Sequence, residues 1–483
     1  MKLKDLLFGL EYSLINGNMD MDITDIAYDS RKVKNGSLFV CIKGYKTDGH
    51  KFITKSIENG AKVIIIQDDY DIKNSEVTVI KINDTRYGLA FISTKFFKEP
   101  SKNFNLIGIT GTKGKTTITY MVKSILEKEN KLVGIIGTIS NKIGEETISI
   151  DRTTPESYDL QSLFYDMSEK NVDSVVMEVS SHGLDLHRVS CNEYDIGLFT
   201  NLTRDHLDFH KTFDNYFEAK MKLFDISKLC LVNIDSDYGK KAYERYKNKA
   251  ISFGIKEKAD FRAINIKLHQ DSVNFDLEVN GKVECMDIVV SIPGEFNVYN
   301  ALSAAAVCNK SGLDFDTIKK GLLNLKVPGR AEVVDIDKNF TVIIDYSHTP
   351  DSLENILKTI KGYAKGRLVC LIGCGGDRDR TKRPIMGKIS GEMADFTIIT
   401  SDNPRTEDPE FIISEIIDGI KEANTDFVKI TDRYKAIEFA LKNAIKDDII
   451  LLAGKGHETY QMFKDKTIKF DEVEIVKEII SRG

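Results

Sequence analysis

The most chemically informative residues of this chain form the run GTKGKTT at positions 111–117. The run follows a short β-rich stretch, 106–110, and precedes apolar residues that recur at helical spacing, which is the setting of a phosphate-binding loop. Backbone N–H groups and the helix N-terminus can then bind phosphate oxygens, while Lys115 neutralises their charge and the Thr116 hydroxyl reaches Mg²⁺. Ile109 stands where the longer G-x-x-x-x-G-K-T pattern needs glycine, so this loop has the shorter G-x-x-G-K-T form. The alternative is a glycine turn flanked by solvated lysines.

Two further features are candidate ligands for a magnesium ion, which prefers oxygen donors. Glu178 lies near the end of the apolar stretch 174–179, where its side chain would leave the sheet close to the phosphate loop. The cluster TRDHLDFH at 203–210 follows another apolar stretch. For Glu178 the alternative is a capping or surface glutamate. The cluster is either a transition-metal site or a surface loop with hydrogen-bonded histidines.

A third feature is the tetrapeptide DNPR at 402–405, directly after the apolar stretch 395–400. It would lie at the carboxyl end of a strand, where open α/β sheets bind ligands. The alternative is a turn with an Asn-Pro break. Basic residues at 378–383 also fit a nucleic-acid patch, but Asp377 and Asp379 dilute its charge.

The helices and strands that position these residues fall into three parts of the chain. We predict an α/β fold with domains at 1–101, 102–328 and 329–483. The first part mixes short strands and turns in a small α/β domain. Alternating apolar and helical stretches in the other two predict mostly parallel sheets. The predicted strands are 106–110, 132–137, 174–179, 195–200 and 229–234 in the second part, and 341–346, 367–372, 395–400 and 449–453 in the third. The predicted helices include 51–59, 87–97, 351–363 and 409–423.

Composition excludes several classes of protein. Hydrophobic residues make up 41% and charged residues 29% of the 483 positions, which excludes wholesale disorder and fibrous repeats. The net charge of −6 argues against a general nucleic-acid binder. Seven scattered cysteines predict reduced thiols rather than a disulfide framework or a zinc site. Without a signal peptide or an apolar run of about 20 residues, we expect a cytoplasmic protein.

Seven motifs resemble, in type and in order, those of the Mur ligases, the ATP-dependent amino-acid ligases of cytoplasmic peptidoglycan synthesis. They are GTKGKTT at 111–117, MEVSSH at 177–182, NLTRDHLD at 201–208, GEFNVYN at 294–300, PGR at 328–330, DYSHTP at 345–350 and GKGHE at 454–458. In addition, DSR at 29–31 and GSLFV at 36–40 resemble the nucleotide-sugar-binding domain of the members that extend UDP-N-acetylmuramoyl-L-alanyl-D-glutamate. The match covers nearly the whole chain.

The resemblance implies a UDP-binding domain, a central ATPase domain and a C-terminal Rossmann-like domain. It also implies that the D-glutamyl γ-carboxylate attacks the γ-phosphate of ATP, and that an amine then displaces phosphate from the acyl phosphate. The implied ATP-binding residues are Gly111, Thr112, Lys113, Gly114, Lys115, Thr116, Thr117, Asn300, Arg330 and Asp345. The implied catalytic residues are Lys115, Glu178, His206 and Lys220, and the implied ligands of two Mg²⁺ ions are Thr116, Glu178, His206 and Lys220.

Lys220 enters this set only through the resemblance. Its segment YFEAK at 216–220 matches the family segment whose lysine carries a CO₂-derived carbamate. An unmodified ammonium cannot ligate Mg²⁺, whereas the carbamate supplies an oxygen ligand. Without the resemblance, Lys220 reads as a solvated helix lysine.

The resemblance assigns the binding of the UDP-muramoyl dipeptide to Ser30, Thr153, Thr154, Ser180 and Arg188. Two neighbouring positions depart from the family pattern. Arg152 stands where Asn is usual, and Leu186 stands where some relatives have Gln. The roles of these two residues are left open.

The implied amine substrate is meso-diaminopimelate, because DNPR marks family members that add it and lysine-adding members usually lack the arginine. Diaminopimelate differs from lysine by a distal carboxylate, which the planar guanidinium of Arg405 can pair with bidentately. Glu458 would attract the distal ammonium. The implied amine-binding residues are Arg378, Asp402, Asn403, Pro404, Arg405, Gly454 and Glu458.

Two other functions are weighed against this one. A folylpolyglutamate synthase also uses a short phosphate loop, but it lacks a separate UDP-binding domain of this kind and the tetrapeptide 402–405. A catalytically silent nucleotide-binding scaffold is disfavoured because the chain has all the implied catalytic and metal-binding residues, namely Lys115, Thr116, Glu178, His206 and Lys220. We therefore expect a monomeric ligase that uses ATP, the UDP-muramoyl dipeptide and meso-diaminopimelate, without nucleic-acid partners or membrane insertion.

Overall fold

The computed structural model of the protein describes residues 1–44, 47–72, 76–148, 152–269, 272–323, 325–423 and 425–482. The chain forms two compact units. Unit 1 comprises Met1–Asp260 and Ser303–Leu313, and unit 2 comprises Phe261–Leu302 and Asp314–Gly483. Both units combine sheets with helices, as the predicted α/β fold requires. The first hundred residues and the central sheet share unit 1, and the three domain boundaries stay predictions.

The first hundred residues of unit 1 form a five-stranded sheet with the strand order β1-β5-β4-β3-β2. Its elements are α1 Leu3–Leu6, β1 Ser13–Asn16, β2 Asp25–Ala27, β3 Ser37–Val40, α2 Ile53–Glu58, β4 Val63–Ile66, β5 Thr78–Lys81 and α3 Thr85–Phe96. Strands β2 to β5 are parallel, and only the edge strand β1 is antiparallel. Every residue of β3 and β4 is buried, as expected for parallel strands that are covered on both faces.

The rest of unit 1 is built on a larger sheet. Its elements are β6 Asn105–Thr110, α4 Lys115–Glu127, β7 Val133–Ile136, β8 Asn141–Ile143, β9 Glu146–Ile148, α5 Ser157–Glu169, β10 Ser174–Glu178, α6 Ser181–Asp185, β11 Tyr194–Phe199, α7 Leu207–His210, α8 Phe213–Asp225, β12 Ser227–Asn233, α9 Asp237–Arg245 and β13 Ala250–Gly254. Within unit 1 the strand order is β13-β12-β11-β6-β10-β7-β8-β9. All neighbours from β13 to β7 are parallel, as the alternating pattern predicts. Because β6 lies between β10 and β11, the loops that follow these three strands meet at one edge of the sheet.

Unit 2 contains a second, mostly parallel sheet and three antiparallel strands that precede it in the chain. Its elements are β14 Phe261–Leu268, β15 Val273–Val279, β16 Lys282–Val290, α10 Glu295–Lys310 (which ends in the unit 1 segment), α11 Phe315–Leu322, β17 Glu332–Val333, β18 Thr341–Asp345, α12 Pro350–Lys361, β19 Leu368–Ile372, α13 Lys382–Met393, β20 Phe396–Ile399, α14 Pro409–Ala423, β21 Phe427–Lys429, α15 Arg433–Lys442, β22 Ile449–Ala453, β23 Tyr460–Met462, β24 Thr467–Lys469 and α16 Glu472–Arg482. The main sheet has the order β17-β18-β22-β19-β20-β21, parallel except for β17. The carboxyl ends of β18, β22, β19 and β20 therefore lie side by side.

The cysteines and the length of the helices complete the description of the fold. All seven cysteines are free, and every one except Cys191 is buried. Within the described ranges, no helix combines the length and the apolar character needed to cross a bilayer.

A fully buried ion pair fastens the last helix of unit 2. Arg433, the first residue of α15, donates from Nε to Glu472 Oε1 of α16 at 2.7 Å, and neither side chain is exposed. The Arg433 Nη2 group also donates to the carbonyl of Ala453, the last residue of β22, at 3.0 Å. One guanidinium thus joins two helices to the strand that precedes the motif at 454–458.

We predict that Glu472→Ala lowers the free energy of unfolding by about 3–5 kcal/mol, because it leaves the Arg433 guanidinium buried without its counter-charge. Urea unfolding of the full chain measures the change. Glu438→Ala is the matched control, since it removes an exposed pair with Lys442 on α15 and should cost less than about 1 kcal/mol. Equal losses in the two variants would contradict the special role of the buried pair.

Candidate active site

The phosphate loop has a conformation that depends on glycine. Gly111 has φ 147° and Gly114 has φ 90°. A Cβ atom on Gly111 would lie 1.9 Å from Thr200 Oγ1, so a side chain is excluded there. The loop is fixed to the end of β11, because the Lys113 N–H donates to Asn201 Oδ1 at 2.9 Å and the Thr112 N–H donates to the Asn201 carbonyl at 3.0 Å.

Two lysines donate to the carbonyl of the same loop residue. Lys115, the first residue of α4, donates from Nζ to Gly111 O at 2.9 Å and to Thr112 O at 3.0 Å. Lys220 donates from α8 to Gly111 O, also at 2.9 Å. The structure therefore brings both predicted catalytic lysines to the phosphate loop, and Thr116 follows Lys115 in a buried position.

Lys220 is buried, with 1% of its surface exposed. Its ammonium lies 4.4 Å from the centre of the Tyr216 ring, one helical turn earlier. Burial lowers the pKa of Lys220 well below its usual value, and the neighbouring Lys115 charge lowers it further. The interpretation of Lys220 as a solvated helix lysine is wrong. The lowered pKa favours the neutral amine, which is the form that reacts with CO₂.

Glu178 is the last residue of β10 and is buried beside the loop. Its two carboxylate oxygens accept hydrogen bonds from the Thr138 N–H at 2.9 Å and from the Thr138 hydroxyl at 3.0 Å. In the sheet register Glu178 is the partner of Ile109, which lies two residues before Gly111. The surface interpretation of Glu178 is therefore also wrong.

His206 and His210 differ although both belong to the cluster 203–210. His206 is half-exposed, and partial burial together with the nearby His182 lowers its pKa despite the opposing charge of Asp205. His210 is buried, bonds Ser181 Oγ through Nε2 at 2.9 Å and stacks on Tyr216. Burial lowers the pKa of His210 to about 4. His206 is thus available as a neutral ligand, whereas His210 is a packed core residue; the Asp208 side chain lies outside the described part.

Four of the five residues assigned to the muramoyl peptide converge at the end of β10. The Thr154 hydroxyl donates to the Glu178 carbonyl at 3.0 Å and accepts from the Ser180 N–H at 3.0 Å. Arg188 donates from Nη1 to the Thr154 carbonyl at 3.2 Å, and the hydroxyls of Thr153 and Thr138 lie 3.1 Å apart. The fifth, Ser30, belongs to a separate 3₁₀ turn that Asn59 holds through the Ser30 carbonyl.

The remaining nucleotide candidates lie in unit 2. Asp345 ends β18 and accepts from the Ala331 N–H at 2.8 Å and from the Ser347 hydroxyl, and burial raises its pKa. The Arg330 guanidinium lies 4.7 Å from the centre of the Tyr346 ring. Asn300 donates to Asn297 Oδ1 at 2.9 Å within α10. Arg330 and Asp345 are thus close neighbours within unit 2, whereas the phosphate loop belongs to unit 1.

The candidate amine site, also in unit 2, centres on Asn403. Its amide donates to Glu458 Oε2 at 2.7 Å, and its Oδ1 accepts from Lys455 Nζ at 3.3 Å. Lys455 is completely buried and also donates to Glu458 Oε2 at 3.1 Å. The carboxylate of Glu458 is therefore held through one oxygen by two donors.

Arg405 lies on the same segment, with its backbone at φ 53° and its Nη1 group donating to the Gly376 carbonyl at 2.7 Å. Arg378 is exposed on the loop that begins after β19. Gly454 has φ 114°, and a Cβ atom there would lie 2.8 Å from Asp402 Oδ2. The predicted amine-binding residues thus come from the ends of three neighbouring strands.

The sequence analysis did not identify several residues that contact and position the candidate site residues. Asn201, Tyr216 and Lys455 lie inside quoted motifs, which were the available signal, but their contacts are long-range. Thr138 has no motif around it, although it follows a predicted strand.

One further cluster resembles a metal site but lacks free ligand atoms on its histidine. Asp48, His50 and Asp68 bring their ligand atoms within 4.8 Å of one another. His50 Nε2 accepts from the Gln67 N–H at 3.1 Å, so Nδ1 carries the proton towards Asp48 Oδ1 at 2.7 Å. His50 therefore fastens two loops together.

Comparison with known proteins shows the relationship of the whole chain. The profile described as the Mur ligase middle domain matches residues 109–308, the Mur ligase, glutamate ligase domain matches 329–456, and the catalytic domain of the Mur ligase family matches 22–96. Proteins named UDP-N-acetylmuramoyl-L-alanyl-D-glutamate–2,6-diaminopimelate ligase are 49% identical in Clostridium botulinum and 50% identical in Clostridium acetobutylicum, over 99% of both chains in each case.

A solved structure of a ligase with that name superimposes with a TM-score of 0.71 at 29% identity, covering 100% of this chain and 99% of the other. Three family profiles match this chain, and relatives are about half identical to it along the whole length. The chain therefore belongs to the Mur ligase family.

Proposed function

We propose that this chain is an ATP-dependent ligase that adds meso-diaminopimelate to UDP-N-acetylmuramoyl-L-alanyl-D-glutamate in cytoplasmic peptidoglycan synthesis. The observation that carries the proposal is full-length identity of about half to ligases of that name, in a chain that retains Arg405 and Glu458 at its candidate amine site. We further propose a UDP-binding domain at 1–101, an ATPase domain at 102–328 and an amine-binding domain at 329–483, acting together as a monomer.

The chemistry begins with activation of a carboxylate, which is a poor acylating agent at neutral pH. The D-glutamyl γ-carboxylate oxygen attacks the γ-phosphorus of ATP, the bond to ADP breaks, and an acyl phosphate forms. Such a transfer depends on positioning and on neutralising phosphate charge. The N–H groups at the start of α4 and the Lys115 ammonium can do both. The neutral amine of diaminopimelate then attacks the acyl carbon, phosphate leaves, and the amine proton is lost as the amide forms.

The residues around Lys220 fit a magnesium site. Two ammonium groups that share the Gly111 carbonyl repel each other, whereas a carbamate on Lys220 would face Lys115 with the opposite charge. Together with Thr116, Glu178 and the neutral His206, the carbamate would complete a set of mainly oxygen donors. Bound Mg²⁺ would neutralise charge on the phosphates of ATP.

Selection of the amine is assigned to Arg405, with Arg378 as a second cation. The Arg405 guanidinium is already held at the site through Gly376, so its remaining N–H groups can pair with the distal carboxylate of diaminopimelate. Lysine has no carboxylate at that position and would leave these donors unpaired. Glu458, held by Asn403 and Lys455 through one oxygen, can accept from the distal ammonium with the other.

A direct assay separates this function from its alternatives. Purified enzyme with ATP and Mg²⁺ should incorporate labelled diaminopimelate into the UDP-muramoyl dipeptide and should leave a folate substrate unglutamylated. Glutamylation of folate instead would favour a folylpolyglutamate synthase. Absence of substrate-dependent ADP release would favour a nucleotide-binding scaffold.

We predict that Lys220→Ala abolishes ligation and that added short carboxylates such as acetate partly restore it, because the cavity then accepts a free oxygen ligand. Initial rates of ADP release measure both effects. Lys222→Ala is the matched control on the same helix, since Lys222 pairs with Asp185 on a half-exposed face. Near-normal activity of Lys220→Ala would remove Lys220 from the metal site.

We predict that Arg405→Ala lowers kcat/KM for meso-diaminopimelate by about tenfold or more while L-lysine turnover changes much less, because only diaminopimelate loses an ion pair. The ratio of kcat/KM for the two amines is the measurement. The KM for ATP should stay the same, since the phosphate loop belongs to unit 1. A wild-type preference for lysine, or a ratio unmoved by the substitution, would contradict this assignment.

A further inference from the structure

Three arginines of unit 1 converge on a single buried carboxylate. Glu156, directly before α5, is 6% exposed. Its Oε2 atom accepts from Arg152 Nη1 at 3.1 Å and lies 3.4 Å from Arg188 Nε and 3.7 Å from Arg86 Nη1. Arg86 comes from α3 and Arg188 from the segment after α6, so three separate parts of the chain build the cluster.

The cluster carries more positive charge than Glu156 can compensate. Three guanidinium groups face one carboxylate, and the next acidic residue of α5, Asp159, is already engaged by the Tyr28 hydroxyl. Arg86 Nη1 and Arg188 Nε are buried and have no hydrogen-bond partner within the described ranges. Buried N–H donors without an acceptor are costly. Arg86 and Arg188 are largely buried and share the single carboxylate of Glu156, whereas Arg152 is half-exposed. Both features point to a missing anion.

The cluster lies next to the reacting end of the proposed substrate. Arg188 donates to the Thr154 carbonyl, and the Thr154 hydroxyl donates to the carbonyl of Glu178 at the end of β10. The γ-carboxylate that becomes the acyl phosphate must reach the phosphate loop beside Glu178. The α-carboxylate of the same D-glutamyl residue is only a short carbon chain away from the γ-carboxylate, so it is an anion of the substrate that can reach this cluster.

We infer that Arg86 and Arg152, aligned by Glu156 and acting with Arg188, bind the non-reacting α-carboxylate of the D-glutamyl residue and thereby direct the γ-carboxylate towards ATP. This inference rests on the proposed function. Arg188 was already assigned to the muramoyl peptide; Arg86, Arg152 and the aligning role of Glu156 are the additions. Arg152 also acquires a role at a position where the family usually has Asn.

The test compares two substrates that differ at one group. One is the UDP-muramoyl dipeptide with its free α-carboxylate, and the other is its α-carboxamide analogue. Wild-type enzyme should prefer the carboxylate in kcat/KM, and Arg86→Gln and Arg152→Gln should each reduce that preference by about tenfold or more. Arg152→Lys should retain part of it. Arg245→Gln, which removes an exposed pair with Glu218 on α8, is the control and should leave the preference unchanged.

The ratio of the two substrates stays informative if a variant folds poorly, because loss of active enzyme slows both substrates equally. An unchanged ratio in Arg86→Gln and Arg152→Gln would therefore overturn the inference and leave a structural role. UDP, used as a competitive inhibitor, should keep its inhibition constant in both variants. A raised constant for UDP with an unchanged ratio would assign the arginines to the diphosphate instead. Wild-type turnover of the unmodified dipeptide tests the proposed function independently.

Discussion

The carbonyl oxygen of Gly111 accepts hydrogen bonds from both Lys115 and Lys220. This shared acceptor depends on the conformation of the loop, the order of the strands and the position of α8. Gly111 holds this position with a positive φ and lies so close to Thr200 that a Cβ atom would meet the Thr200 hydroxyl. Thr200 and Asn201 can be there only because β11 pairs with β6 in parallel. Lys220 reaches the same atom from α8, so loop, sheet and helix are fixed by one acceptor.

The candidate amine site of unit 2 is also organised around one shared hydrogen-bonding group, but that group is a side chain. The site also lies at the carboxyl ends of neighbouring parallel strands, but Asn403 replaces the backbone carbonyl as the central group. Lys455 and Asn403 both bind Glu458 Oε2, which fixes the orientation of the carboxylate. A site built on such pre-organised partners loses little conformational entropy when a ligand binds, which favours selection between two similar amines.

The sequence predicted the features that depend on local pattern and missed those that depend on long-range contact. The strand, the glycine-rich turn and the helix around 111–117 were predictable because they follow one another within a few residues. Lys220 was recognisable only by resemblance, since the spacing of α8 does not reveal that its lysine faces Gly111. The strands β14 and β16 were missed because much of their surface is exposed, so their apolar alternation is weak. Strand β15 was overlooked although Val273, Phe275 and Leu277 alternate with polar residues and are buried. Glu156 gave no signal, because two of its three partners, Arg86 and Arg188, are distant in sequence.

The net negative charge of the chain does not reveal that several of its cationic side chains are buried. The chain carries −6 overall, yet Lys455 and Arg433 are almost completely buried, and Arg86 and Arg188 have buried guanidinium N–H groups. Each buried cation costs free energy unless an anion compensates it. Glu472 compensates Arg433 within the fold, which makes that pair structural. Lys455 is compensated by Glu458, which can also serve a ligand. Around Glu156 the compensation within the fold is incomplete, and there the proposed substrate would supply the missing charge.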